Sequence, residues 1–442
     1  MAVLQEEKTI LIVGTGVFGA STAYHLASQY KDASNITVID QTPPSPDPAA
    51  STDINKIIRA DYSSAFYANL AYEAMKAWAE WPELRHYYHK TGWIMLDREG
   101  SDLADRIRSV FRERGHDPTE DIALEKLNDH WNGILKGTDL RGFTKAYWNP
   151  EAGWCDASAA TASIMNAAIS KGVKYGIGTV DHIILNDDCS VKGVHTKDGR
   201  ILTADTIVLS TGAWTSSLMS PIEDQLNITE AQRVERQVSA AGVGVVHYKM
   251  SPSEMNQLSK MPVVVYGENG EVIPPPKENC LLKYTDSNTF KNTIQTPSGH
   301  RISVPPERDQ HIVPENLKRE AIREMSTKVM PMFSQKEPDY WRLCWDAYTP
   351  TQDWLLCQHP DARLKNLYFA TGGSFHSYKF LPIIGKYMAN VLSGKGNGEE
   401  RDRAWAWKDP NVKWKGAHES TAPKRELRDL EVNSSTGRDS HL

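Results

Sequence analysis

"TILIVGTGVFGASTAYHLA", residues 9–27, decides the fold. An apolar run of strand character ends in Gly14-x-Gly16-x-x-Gly19, and a helical pattern follows at once. Each glycine has its own task. Gly14 permits the tight turn, Gly16 lets backbone N–H groups approach a pyrophosphate, and Gly19 lets the helix pack on the strand. With Val17 and Phe18 these residues open a helix N-terminus, where unpaired N–H groups favour an anion. A second strand, "NITVID", ends at Asp40, whose carboxylate suits ribose hydroxyls. The pattern predicts an α/β, Rossmann-like domain that binds a dinucleotide.

NAD, NADP and FAD all use this fingerprint, so the motif leaves the cofactor open. Two later segments narrow it. "ADTIVLSTGAWTSSL" (204–218) and "LYFATGGSFHSYKFLPIIGKYMA" (367–389) each carry an apolar strand that ends in Thr-Gly. A dinucleotide domain gathered from such distant segments is more typical of flavoproteins than of a simple NAD dehydrogenase. The last segment also places His376 and Lys379 in apolar surroundings, where a lysine either snorkels or serves a ligand.

The chain has 442 residues, too many for one ordinary core, so two domains are expected. A net charge of −6 gives no reason to expect a nucleic-acid partner. No run of 18 apolar residues is present, and no membrane span is expected. The opening "MAVLQEEKTILIVG" lacks a basic segment ahead of its apolar run and reads as a strand, not a signal peptide. Five scattered cysteines without a CxxC pair point away from a disulfide framework or a metal site.

Six segments, in order, resemble the FAD-dependent amine oxidases of the monomeric sarcosine oxidase family. They are "GTGVFGASTAYHLA", "STDINKIIRADYSS", "EAGWCDASAA", "RISVPPERD", "RLCWDAYTPTQDW" and "GGSFHSYKFLP". Within that family the chain is most similar to the fungal fructosyl amino acid oxidases (amadoriases) and saccharopine oxidases. The resemblance implies a glutathione-reductase-type FAD-binding domain and a substrate domain built on a mixed sheet. It also implies roles for single residues. Lys379 and Arg59 would clamp the carboxylate of an amino-acid substrate, a task for which guanidinium geometry is well suited. Cys344 would carry FAD through an 8α thioether, a thiolate placed against an electrophilic methyl. Lys283 would stand by the flavin and activate O2, since a fixed positive charge stabilises developing superoxide. Lys56 is a second candidate for that task. Gly372, Gly373 and His376 would run beneath the flavin, with His376 either lining the site or packing. No metal is implied.

The same resemblance implies the reaction. The C–N bond of a secondary amine on an α-amino acid gives hydride to flavin N5, the imine hydrolyses, and oxygen is reduced to hydrogen peroxide. The alternatives are the same chemistry in secondary-metabolite biosynthesis, on an N-methyl amino acid or through an imine to a ring, a fructosyl amino acid oxidase proper, and a flavin dehydrogenase that does not use oxygen. The chain departs from the amadoriases at Ser287, where they have a glutamate for the sugar, and at Phe375, where the family has glycine. Asp346 stands where sarcosine oxidases have tyrosine. Fructosyl substrates are therefore not expected to be preferred; another N-substituent, or a cyclic amine such as pipecolate, fits better.

Segments 1–60, 145–220 and 335–395 are expected to form the FAD-binding domain, and 61–144 and 221–334 the substrate domain. A charged tail, 396–442, is expected to fold Trp405, Trp407 and Trp414 back onto the body and to end in about ten disordered residues. Ser440-His441-Leu442 is close to the peroxisomal Ser-Lys-Leu address, which suggests an import receptor as partner and a peroxisomal site for a peroxide producer. The protein is expected to be a monomer.

Overall fold

The computed structural model describes residues 8–267, 269–414, 423 and 425–432. The last ten residues, expected to be disordered, and with them the Ser440-His441-Leu442 address, lie outside the described residues.

Two sheets organise the chain. The first has six strands in the order Leu355–Gln358, Leu367–Thr371, Thr206–Leu209, Ile10–Val13, Ile36–Asp40, Lys174–Ile177. All are parallel except Leu355–Gln358. Ile10–Val13 is buried throughout, as a near-continuous apolar run in a covered parallel sheet should be. The helix Val17–Ala27 follows and packs against Ala157–Ser170 and Ile384–Leu392. Close approach there depends on Gly385, whose added Cβ would stand 2.0 Å from the carbonyl oxygen of Ser21. Residues 10–13, 36–40, 174–177, 206–209 and 367–371 thus meet in one sheet although they span most of the chain.

The second sheet has ten strands and is mixed, with parallel pairing at Val263–Val265 against Trp93–Arg98. Its longest strand, Ser239–Lys249, pairs over residues 239–247 with the whole of Tyr340–Tyr348. Tyr340–Tyr348, in the segment 335–395, and Phe143–Asn149, which runs from the segment 61–144 into 145–220, are both strands of the large sheet. The nine-residue ladder to Ser239–Lys249 holds Cys344 opposite Val243, so the cysteine sits on the large sheet and faces the dinucleotide fold.

The described part of the tail packs tightly. Trp405 stacks on Trp354 with ring centroids 4.8 Å apart. Trp407 lies against Phe369, and Trp414 stacks on Tyr348. Arg425–Glu426 adds an edge strand beside Phe290–Lys291.

Candidate active site

A cavity of about 400 Å³ lies between the two sheets. Its wall includes Val17 and Ser51 at the N-terminus of the first helix, Lys56, Cys344 and Gly373, and Arg59, His376 and Lys379.

At the helix end the glycines are required. Gly14 has φ +96°, and a Cβ there would stand 2.4 Å from the oxygen of Ser210. A Cβ on Gly19 would stand 1.9 Å from the oxygen of Gly14. Asp40 accepts hydrogen bonds from the Thr15 amide (2.6 Å) and hydroxyl (3.0 Å), which ties the second strand to the glycine loop. Burial raises its pKa against those bonds. The Ser51 hydroxyl accepts from the Val17 amide at 2.7 Å. Phe18 turns inward, edge-on to Trp354.

Cys344 is 4 % exposed and stands beside two cations. Arg342 Nη2 lies 3.3 Å from Sγ and Lys56 Nζ 4.0 Å. The sulfur thus stands between two cationic side chains. Asp53 balances these cations. Its carboxylate meets Lys283 at 2.8 Å, Lys56 at 3.0 Å and His247 at 4.0 Å. Burial opposes its charge, yet Lys283, Lys56 and Arg342 together hold it well below the usual carboxylate range. Lys283 also donates to the Asn55 carbonyl at 2.7 Å. Of the two lysines considered for oxygen chemistry, Lys56 is on the cavity wall and Lys283 is not. Burial pushes the Lys283 ammonium down, while Cys344 and Asp53 outweigh burial at Lys56 and raise it.

Lys379 sits on the turn Tyr378–Phe380, pinned by Trp78 Nε1 donating to its carbonyl at 2.6 Å. Its ammonium donates to the Tyr62 hydroxyl at 2.9 Å and to the His376 carbonyl. It forms no ion pair among the described residues. Burial, followed by repulsion from Arg59, pushes its pKa well down. Arg59 leaves the strand Lys56–Ile58, which is braced by Gly153–Cys155 of the "EAGWC" segment. Its guanidinium lies 5.0 Å from the Tyr62 ring and 5.1 Å from the Trp93 ring, and donates to the Asp61 carbonyl. Asp61, with bonds from Tyr147 and Asn149, is buried enough that its pKa rises to about 6 despite Arg59. His376 both lines the cavity and packs. Nδ1 is 3.1 Å from the Tyr62 hydroxyl and Nε2 2.9 Å from the Gln352 carbonyl. Burial and Lys379 lower its pKa to about 3, so the ring is neutral.

The departures noted in the sequence also face this space. Ser287, Phe375 and Asp346 all line it. Ser374 and Phe375 have φ of +47° and +64°, the region where a glycine is at ease, which explains what a glycine at position 375 would provide. Asp346 holds that strained turn, accepting from the Phe375 amide at 2.7 Å and the Ala347 amide at 2.8 Å. A Cβ on Gly373 would stand 2.5 Å from Asp346 Oδ1. Gly372, at φ +92°, makes the preceding turn.

A glycine cradle at a helix N-terminus, leading along one cavity to a cysteine between cations, fits a flavin dinucleotide. The FAD dependent oxidoreductase family matches residues 9–391. The chain belongs to this family. As an FAD-dependent oxidoreductase it is similar to the L-saccharopine oxidase of Schizosaccharomyces pombe, 28% identical over 92% of this chain and 96% of that protein. An amino acid oxidase of Aspergillus flavus is 27% identical over 89% and 94%. A modified fructosyl peptide oxidase from Aspergillus nidulans superposes with a TM-score of 0.83 at 27% identity, covering 96% and 98%.

Sequence reasoning missed Ser51, Asp53, Asp61, Tyr62, Arg342 and Glu271 in this oxidoreductase. Asp53 stood in plain view three residues before Lys56, the spacing of a local ion pair, but its bond to Lys283 spans 230 positions. Among the described residues one group, Asp181, His182 and His195, brings side chains near enough for a metal ion. It lies on strands Val180–Leu185 and Val191–Thr196, and none of the three lines the cavity. No helix among the described residues is long and apolar enough to cross a membrane.

Proposed function

We propose that this oxidoreductase oxidises the C–N bond of a secondary amine on an α-amino acid, with oxygen as acceptor and hydrogen peroxide as product. The observation that carries this reading is Lys379. An ammonium in a cavity wall without a carboxylate partner is costly, and a ligand carboxylate relieves that cost. Arg59 on the same wall supplies a second, forked cation, and its own partner Asp61 leaves the pair net positive.

When bound, FAD would supply the electron acceptor for the C–N bond and the route of those electrons to oxygen. The chain's own residues do the rest. Gly16 and Val17 would receive the pyrophosphate, Asp40 the ribose, and Cys344 would hold the ring end through its sulfur. Arg59 and Lys379 fix the substrate carboxylate and so orient the carbon that loses hydrogen. Neutral His376 and the Tyr62 hydroxyl keep Lys379 aimed into the cavity. Lys56, on the wall beside Cys344, carries the positive charge that favours oxygen reduction, and Asp53 holds it in place. The saccharopine and amino acid oxidases among its relatives support this class of substrate. Ser287 and Phe375 on the wall argue against a sugar, whose buried hydroxyls would need more polar partners.

The test is peroxide release by the holoenzyme from sarcosine, pipecolate, saccharopine and fructosyl-valine, each beside its methyl ester. Free acids should turn over and esters should not. An ester turned over as well as its acid would remove the carboxylate clamp. A fructosyl substrate with the highest kcat/KM would overturn the reading of Ser287 and Phe375. Acid-precipitated protein should retain yellow flavin, and Cys344→Ala should release it.

A further inference from the structure

The cavity wall has four carboxylates, and three are already occupied. Asp61 accepts from Tyr147 and Asn149; Asp97 from the Arg98 and Ala104 amides; Asp346 from the Ala347 and Phe375 amides. Glu271 differs. It lines the cavity, is half-buried, and takes no hydrogen bond or ion pair from the described residues.

Its position follows from sheet register. Val245 pairs with Thr285, Thr285 with Glu271, Glu271 with Val265, and Val265 with Met95. Paired residues in adjacent strands point to the same face, and all five line the cavity. They form one row across the large sheet, and Glu271 is the single charge among these five; the row continues past Val245 to Arg342, which is engaged by the Thr52 and Ala49 carbonyls and Cys344 Sγ. Its field reaches Lys379 and Lys283, opposing the burial that lowers both, but it contacts neither. Ser287, at the position that departs from the amadoriases, lines the same cavity from the neighbouring strand's end.

A partly desolvated carboxylate set between uncharged neighbours is unfavourable unless something positive meets it. The resident cations are engaged elsewhere. Lys56 is paired with Asp53, Lys379 is bonded to Tyr62 and His376, and Arg98 donates to Asn269 at 2.9 Å. We propose that Glu271 recognises a positively charged group on the substrate's N-substituent, so that the enzyme selects amino acids whose secondary amine carries a second, cationic arm. This rests on the reading that the substrate carboxylate is clamped by Arg59 and Lys379. Glu271 would then read the other end of the molecule, as an ammonium or guanidinium, and act on specificity rather than on the bond that breaks.

The test uses the FAD-loaded enzyme and three N-substituted glycines: N-(5-aminopentyl)glycine, N-hexylglycine and N-(5-carboxypentyl)glycine. Binding is read from the perturbation of flavin absorbance without oxygen, and turnover separately from peroxide. The aminopentyl compound should bind at least about tenfold tighter than the hexyl one, the scale of a charge-assisted hydrogen bond. Glu271→Gln should abolish that difference while leaving N-hexylglycine within about threefold. Glu271→Lys should turn the preference toward the carboxypentyl compound. Wild-type enzyme that binds all three alike overturns the proposal without any variant. So does a Glu271→Gln enzyme that weakens the amino and hexyl compounds equally, since Glu271 would then serve the reacting amine or Lys379. Failure of the carboxylate clamp would appear differently, as unchanged binding when the glycine carboxylate is esterified.

Discussion

Two buried clusters of cations face the same cavity, and they are built on opposite terms. Around Asp53, three cations (Lys56, Lys283 and Arg342) share a carboxylate that the fold itself provides, and Lys56 is held above its usual pKa. Around Tyr62, Lys379 bonds among the described residues to a hydroxyl and a carbonyl, with no ion pair, and burial pushes it down. The first cluster is closed: its cations have a carboxylate of the fold beside them whether or not a ligand is present. The second is open and gains its counter-charge only from a ligand. A buried cation with its own carboxylate therefore reads as framework and electrostatic support, and one without reads as a binding site.

The largest effect should come from opening the closed cluster. Asp53→Asn leaves Lys56, Lys283 and Arg342 uncompensated and should lower unfolding free energy by about 3–5 kcal/mol, measured by denaturant titration. A variant as stable as the parent would break the comparison, because Asp53 would not be what balances those cations.

Removing the cation of the open cluster should do the reverse. Lys379→Met should weaken a carboxylate ligand by about 2–5 kcal/mol while leaving the melting temperature unchanged or higher. Equal losses in binding and in stability would make Lys379 part of the framework.

The pH dependence sharpens the contrast. The Lys379 pKa is lowered in the folded protein, so between that value and the ordinary lysine range the unfolded chain binds more protons. Its contribution to stability is therefore least at low pH, where the buried ammonium is charged, and rises as pH climbs through that window. A carboxylate ligand prefers the charged form. Its affinity should fall as pH rises above the lowered value, by up to about tenfold per unit. Lys379→Met should flatten this slope, and a slope that survives the substitution would assign it to another group.

The smallest effect should follow from Tyr62→Phe. It removes one neutral partner from both Lys379 and His376 and should weaken carboxylate binding by about 0.5–1.5 kcal/mol. A loss as large as that of Lys379→Met would mean that the hydroxyl touches the substrate itself.

How these clusters arise separates what is local in the sequence from what is not. The glycine loop, its flanking strand and helix, and Asp40 were legible because their physics is local: glycine tolerates φ +96° at position 14 wherever the chain runs, and a strand–glycine–helix order leaves few alternatives. The resemblance of six ordered segments brought Arg59, Cys344 and Lys379 into view, and all three line one cavity. Other features were invisible for reasons of distance. Tyr340–Tyr348 belongs to the large sheet because its ladder partner lies about a hundred residues earlier, and nothing within the strand records that choice. Lys56 and Lys283 look alike as residues in apolar strands. Only Asp53, reaching across to both, leaves one on the cavity wall and buries the other behind it. Glu271 is one acid among many in the chain until the register of five strands sets it between uncharged neighbours on the cavity wall. The sequence by itself determined the cofactor fold and the residue types available for chemistry. Which charges are balanced and which stand open was decided by tertiary structure, because electrostatic balance depends on distances between side chains that backbone pairing alone brings together.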